Sequence, residues 1–152
     1  MKMIIRIYIL AVIITSMFSS CTNQRSAGEK QQMVWLYNEG KALQMASEQR
    51  KPVMIDFMAT WCPPCQRMED STFSDIRVID KANLFIRLRI DVDKYPEIAD
   101  KYNGNARKYG GTGIPNILFL SYKGSPLKHI VGYQSAGNLT AVMDTVLTLT
   151  RL

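Results

Sequence analysis

The sequence predicts an α/β domain with a central mixed β-sheet flanked by helices and a ββα finish. Three observations carry that reading. The run "KPVMIDFMA" (51–59) is almost continuously apolar, as suits a central strand covered on both faces. Helical and strand-like periodicities alternate along the chain, as they do where helices pack on a sheet. Near the end, "IPNILFLSY" and "LKHIVGY" are separated only by "KGSP", a turn short enough to make these strands antiparallel, and a helical stretch follows them.

Residues 1–20 stand apart from this pattern. They carry Lys2 and Arg6, no acid, and the apolar run "IYILAVIITSMF", which is the form of a bacterial signal peptide. A bilayer-spanning helix needs about 20 apolar residues and this run has about 12, so a permanent anchor is the weaker reading beside a leader that is cut. Residues 21–31 are polar and small and read as a flexible tether. Residues 32–152 remain as one domain, with no internal repeat.

Within that domain, Met33 to Arg50 reads as a helix, with Val34, Trp35, Tyr37, Leu43, Met45 and Ala46 on an apolar side and Glu39, Lys41, Glu48 and Arg50 on a wet one. The strand at 51–59 comes next. "PPCQRMED" starts a helix for which Pro63 suits the first position. "TFSDIRVIDKAN" reads as a short or broken helix. "LFIRLRIDVD" alternates Leu84, Ile86, Leu88 and Ile90 against Phe85, Arg87 and Arg89, so it is a second strand. "YPEIADKYN" is helical and "GNARKYGGTG" a glycine-rich connection. The last helix is capped at Ser135 or Asn138 and places Leu139, Val142, Met143, Val146 and Leu149 at helical spacing.

Charge excludes one class of partner. The net charge of +6 falls to +4 without Lys2 and Arg6, and no basic block remains, so nucleic acid is not expected. The chain has three cysteines, at 21, 62 and 65. Cys62 and Cys65 close a loop too short to stabilise a fold much, so their purpose is chemical. They sit where a strand gives way to a helix, which is where open α/β sheets place their sites. A metal would want further ligands, and the chain offers one histidine, His129, and no second CxxC, so no metal is expected; His129 reads as an ordinary strand residue. Asp56, in the middle of an apolar strand, is hard to explain by folding alone. A buried carboxylate should have a raised pKa and could exchange a proton with the thiols.

The two prolines between the cysteines bear on the direction of the chemistry. A thiolate at a helix start is stabilised by the dipole and the free amides, which favours Cys62 as the attacking group. Pro63 and Pro64 supply no amide, leaving that of Cys65. Cys62 is therefore expected to be less acidic than in a CxxC with amide-bearing central residues, and the pair more reducing.

Two resemblances extend this reading. "FSSC" (18–21) resembles the lipobox of bacterial lipoproteins, although Phe18 stands where that pattern prefers Leu. It implies a lipid on Cys21, anchorage on the periplasmic side of a bacterial membrane, and a Cys62–Cys65 pair with no third thiol to scramble it. "WCPPC" after an apolar strand, Asp56 six residues before Cys62, "GIP" ending at Pro115 and the ββα finish together resemble the thioredoxin-like superfamily, over roughly Met33 to Leu152. The frame "KPVMIDFMATWCPPCQRMEDSTFSD" is most similar to the C-terminal domain of the DsbD thiol:disulfide interchange family, while the proline-rich CxxC is more similar to the TlpA and ResA reductases. The connection from Asp91 to Pro115 is longer than in a minimal thioredoxin.

The superfamily resemblance implies an extracytoplasmic thiol:disulfide oxidoreductase with no cofactor beyond a redox-active Cys62–Cys65 disulfide. Cys62 attacks, and Cys65, expected to be the less exposed, resolves the mixed disulfide. Asp56 exchanges the proton, Glu69 matches a second acidic position, and Arg87 falls where thioredoxins often carry a lysine. Pro115 is expected to be cis, with the backbone of Gly113 and Ile114 free to pair with an extended substrate; Trp61, Pro63 and Pro64 form the surrounding wall. The partners implied are exported proteins with disulfides and, because the sequence carries no membrane-embedded electron carrier, a separate membrane electron donor. A monomer is expected. An oxidase or isomerase of the same fold, or a non-catalytic metal- or partner-binding module, are the alternatives.

Overall fold

The computed structural model describes residues 32–102 and 113–150. The leader, the tether with Cys21, most of the glycine-rich connection and the last two residues lie outside them. The described elements are α1 (Glu39–Gln49), β1 (Val53–Met58), α2 (Pro63–Ser71), α3 (Ile76–Ala82), β2 (Ile86–Asp91), α4 (Pro96–Tyr102), β3 (Asn116–Leu120), β4 (Pro126–Val131) and α5 (Ala136–Leu149).

The sheet order is β2-β1-β3-β4. β1 runs parallel to β2 and antiparallel to β3, and β3 is antiparallel to β4, so the sheet is mixed as expected. β1 and β3 are the inner strands, and both are buried along nearly their whole length, which is why their sequences show no polar face. Two apolar clusters lie on the two sides of the sheet. Ile55, Phe57, Leu88 and Leu118 pack with Ala42 and Ala46 of α1 and Ala99 of α4. Met54, Ile117 and Phe119 pack with Met68 of α2, Val78 and Ile79 of α3 and Leu139, Met143 and Val146 of α5.

Two sequence expectations need correction. The helix predicted from Met33 begins only at Glu39, where the Asn38 side chain accepts the Lys41 N–H at 2.8 Å and caps it. The residues before the cap are extended: the Leu36 N–H donates to Arg87 O and the Arg89 N–H to Leu36 O, both at 2.8 Å, adding a short parallel bridge to the edge of β2. Buried Met33 and Trp35 alternate with exposed Val34 as in a strand, over too few residues to stand out beside the helical period of α1. The second correction is smaller. β2 starts at Ile86, and Leu84 is exposed in the turn before it.

Candidate active site

Cys62 is the N-cap of α2, and Pro63 and Pro64 occupy its first two positions. The first amides of a helix have no partner inside it, so two prolines are accommodated there without loss of a helical bond. Cys62 and Cys65 are joined in a disulfide, with Cα atoms 5.3 Å apart. The Cys65 N–H points at Cys62 Sγ from 3.3 Å, and the Gln66 N–H is committed to the Cys62 carbonyl at 3.1 Å. Of the first three helical residues, Cys65 alone has an N–H to offer that sulfur.

The expected difference in exposure between the two cysteines is not present. Cys62 is 2% and Cys65 6% exposed, and both lie in one apolar cluster with Ala59 and Ile114. Trp61 is mainly exposed, and its indole Nε1–H donates to Asp93 Oδ2 at 2.5 Å, fixing the ring beside the disulfide.

Asp56 is buried in β1 with a partner other than the arginine expected from the resemblance. It lies in register with Arg89 of β2, whose Nε–H donates to Asp56 Oδ2 at 2.8 Å. The same guanidinium donates through Nη2 to Glu69 Oε2 of α2 at 2.6 Å. Its remaining face lies 4.3 Å from the Trp35 ring centroid and 5.4 Å from that of Phe73. Burial pushes the Asp56 carboxyl up to about 6, against the pull of Arg89, while the nearby Glu69 charge raises it further. Burial works against the charge on Arg89, but Asp56 and Glu69 together hold its pKa above the ordinary guanidinium value.

Arg87, the position carried over from the resemblance, does not reach Asp56. It bonds Asn83 Oδ1 at the opposite end of β2. Arg87 and Arg89 share a face of the strand, and only the register between β1 and β2 decides which one meets the acid. A helix over 33–50 gives Trp35 no place at this site; the extended backbone before α1 puts it over Arg89.

The third component of the site is the start of β3. The Ile114–Pro115 bond is cis, and neither Gly113 nor Ile114 makes a backbone hydrogen bond to another described residue. The Pro115 carbonyl accepts the Gly132 N–H at 2.8 Å, and Gly132 has a φ of 88°, which a side chain would strain. This bond brings the β4–α5 loop to the site. The loop is tied to α2 by Thr72 Oγ1–H donating to Gln134 O at 2.6 Å, and by the Tyr133 and Ser71 hydroxyls at 3.2 Å. His129 of β4 bonds the buried Asn116 of β3. Among the described residues no cluster of three His, Cys, Asp or Glu side chains is placed to hold a metal ion, and no described helix is long and apolar enough to cross a membrane.

Comparison with known proteins bears on the whole arrangement. A family model described as a thioredoxin-like domain matches residues 39–147. The chain is 31% identical to a thioredoxin of Alicyclobacillus acidocaldarius over 106 residues, which covers 68% of this chain and 90% of that protein. It is 33% identical over 89 residues to the thiol:disulfide interchange protein DsbD of Campylobacter jejuni, covering 59% of this chain but only 15% of that longer protein. Among solved structures, the reduced C-terminal domain of Neisseria meningitidis DsbD superposes with a TM-score of 0.55 at 25% identity, covering 70% of this chain and 91% of that one.

Proposed function

The chain belongs to the thioredoxin-like domain family and holds a CxxC pair as a Cys62–Cys65 disulfide, and from that premise we propose an exported, lipid-anchored thiol:disulfide oxidoreductase that reduces disulfides of other exported proteins. In the reduced state the Cys62 thiolate attacks one sulfur of the substrate disulfide. A mixed disulfide forms and the first substrate thiolate leaves. Cys65 then gives up its proton and attacks Cys62 Sγ, so the second substrate thiolate departs and the pair is left oxidised. Two electrons have passed to the substrate, and a membrane electron donor must return two to the chain. Asp56, with an affinity near 6 on the strand that leads into the pair, is suited to accept the Cys65 proton. Glu69 and Arg89 hold it in place. The cis Pro115 edge, with Gly113 and Ile114, receives an extended substrate segment against Trp61, Pro63 and Pro64.

The observation that carries the reductive direction is the poverty of amides at Cys62 Sγ. Among the described residues one N–H, from Cys65, reaches it. A thiolate so weakly stabilised favours the disulfide, so electrons leave the pair readily. Localisation rests on the leader and on Cys21.

Two measurements test the proposal. Insulin reduction should depend on Cys62, and equal rates for wild type and Cys62→Ser would remove the catalytic reading. The reduction potential should lie near or below about −270 mV; a value near about −120 mV would make the protein an oxidant instead.

A further inference from the structure

The site has a wall that the exchange chemistry leaves unused. Arg67 lies on the exposed stripe of α2, four residues after Pro63 and three after Pro64. Its guanidinium lies 5.3 Å from the ring centroid of Tyr133, and Tyr133 directly follows the glycine that is bonded to Pro115. The Tyr133 hydroxyl meets Ser71 on the next turn of the same helix. The pair thus spans from the helix that carries the dithiol to the loop beside the cis proline, along one side of the path that a substrate segment would follow. Tyr133 is 41% exposed and Arg67 is exposed, so neither is explained by core packing.

Charge identifies what would lie there. Arg67 makes no ion pair with a described carboxylate, including Asp70 one turn on. The other residues assigned to the groove, Trp61, Pro63, Pro64, Gly113, Ile114 and Pro115, carry no charge. A guanidinium that lies over an aromatic ring still has N–H groups to offer a carboxylate. We infer that Arg67 and Tyr133 form a specificity subsite selecting disulfide substrates with an acidic side chain close to the reacting cysteine. This rests on the oxidoreductase reading above and names a substrate class for it.

The test uses three synthetic peptides, each closed by one internal disulfide and identical except for Glu, Gln or Lys two residues from the attacked cysteine. The readout is kcat/KM for reduction by the reduced protein. At low salt the Glu peptide should react about fivefold faster than the Lys peptide, the preference of a well-made exposed ion pair. The ratio should fall toward one in Arg67→Gln, recover in part in Arg67→Lys, and shrink at about 1 M salt. A wild-type ratio at or below one, or a preference that survives in Arg67→Gln, overturns the inference and leaves the oxidoreductase reading standing. If wild type reduces none of the three peptides, the oxidoreductase reading fails, and the subsite with it.

Discussion

Replacing Asp56 by Asn should remove a pH dependence of stability whose size follows from the burial of this one carboxyl. The fold raises its affinity from 3.8 to about 6. At about 1.36 kcal/mol for each pH unit, this corresponds to about 3 kcal/mol. The native state binds the proton more tightly than the unfolded chain, so the contribution is fully present below about pH 3.8 and is lost as pH rises through about 6. Between pH 4 and pH 8 the wild type should therefore lose about 2.4 kcal/mol that Asp56→Asn does not lose. Glu39 and Asp75, whose affinities are lowered by Lys101 and Arg77, act with the opposite sign at acid pH. Both proteins share them, so they cancel in the difference. Urea unfolding of the oxidised forms at half-unit pH intervals measures it. The amide oxygen of Asn can still accept the Arg89 N–H, so a constant offset between the curves is immaterial and only their divergence counts. Parallel curves from pH 4 to pH 8 would refute the reasoning, as would a wild type that gains on the variant as pH rises.

Three further outcomes follow from the same site. Pro63→His restores an amide at the first helical position, next to Cys62, so the Cys62 pKa should fall and the potential become less negative, by about 30 mV for each tenfold change in the equilibrium; an unchanged potential would remove the argument from missing amides. Arg89→Met leaves two carboxylates facing each other without their shared cation, which should cost about 3–5 kcal/mol in urea unfolding at pH 7.5 and raise the pH at which Asp56 titrates above about 6. Cys65→Ala should arrest the exchange at the mixed disulfide on Cys62, so that mass spectrometry of the adduct recovered from cells names the substrate; a variant that forms no adduct would contradict the assigned order of attack.

The inner strands were legible because burial on both faces leaves no polar positions in the sequence, and "VMIDFM" could be little else. The hairpin and α5 were legible for local reasons: a short turn with Gly124 at positive φ, and Ser135 accepting the Asn138 N–H at 3.2 Å. The dithiol showed itself through spacing alone. What the sequence hid depends on register and on distance along the chain. Arg87 and Arg89 are equivalent in the pattern of β2, and a parallel pairing set elsewhere in the fold selects Arg89. Trp35, Arg67 and Tyr133 come from three separate segments, and nothing in their immediate neighbours marks them as belonging to one site.

The bridge at Leu36 has a practical consequence for where the domain begins. The family match starts at residue 39, and a fragment cut there would keep every regular helix and strand described above. It would also lose the indole that covers the Arg89 guanidinium and the two backbone bonds that seal the outer edge of β2. An arginine left without its lid would stand next to an open strand edge, the kind of surface on which a second molecule adds a strand of its own. Truncations meant to yield a soluble, active fragment should therefore retain Met33, Trp35 and Leu36.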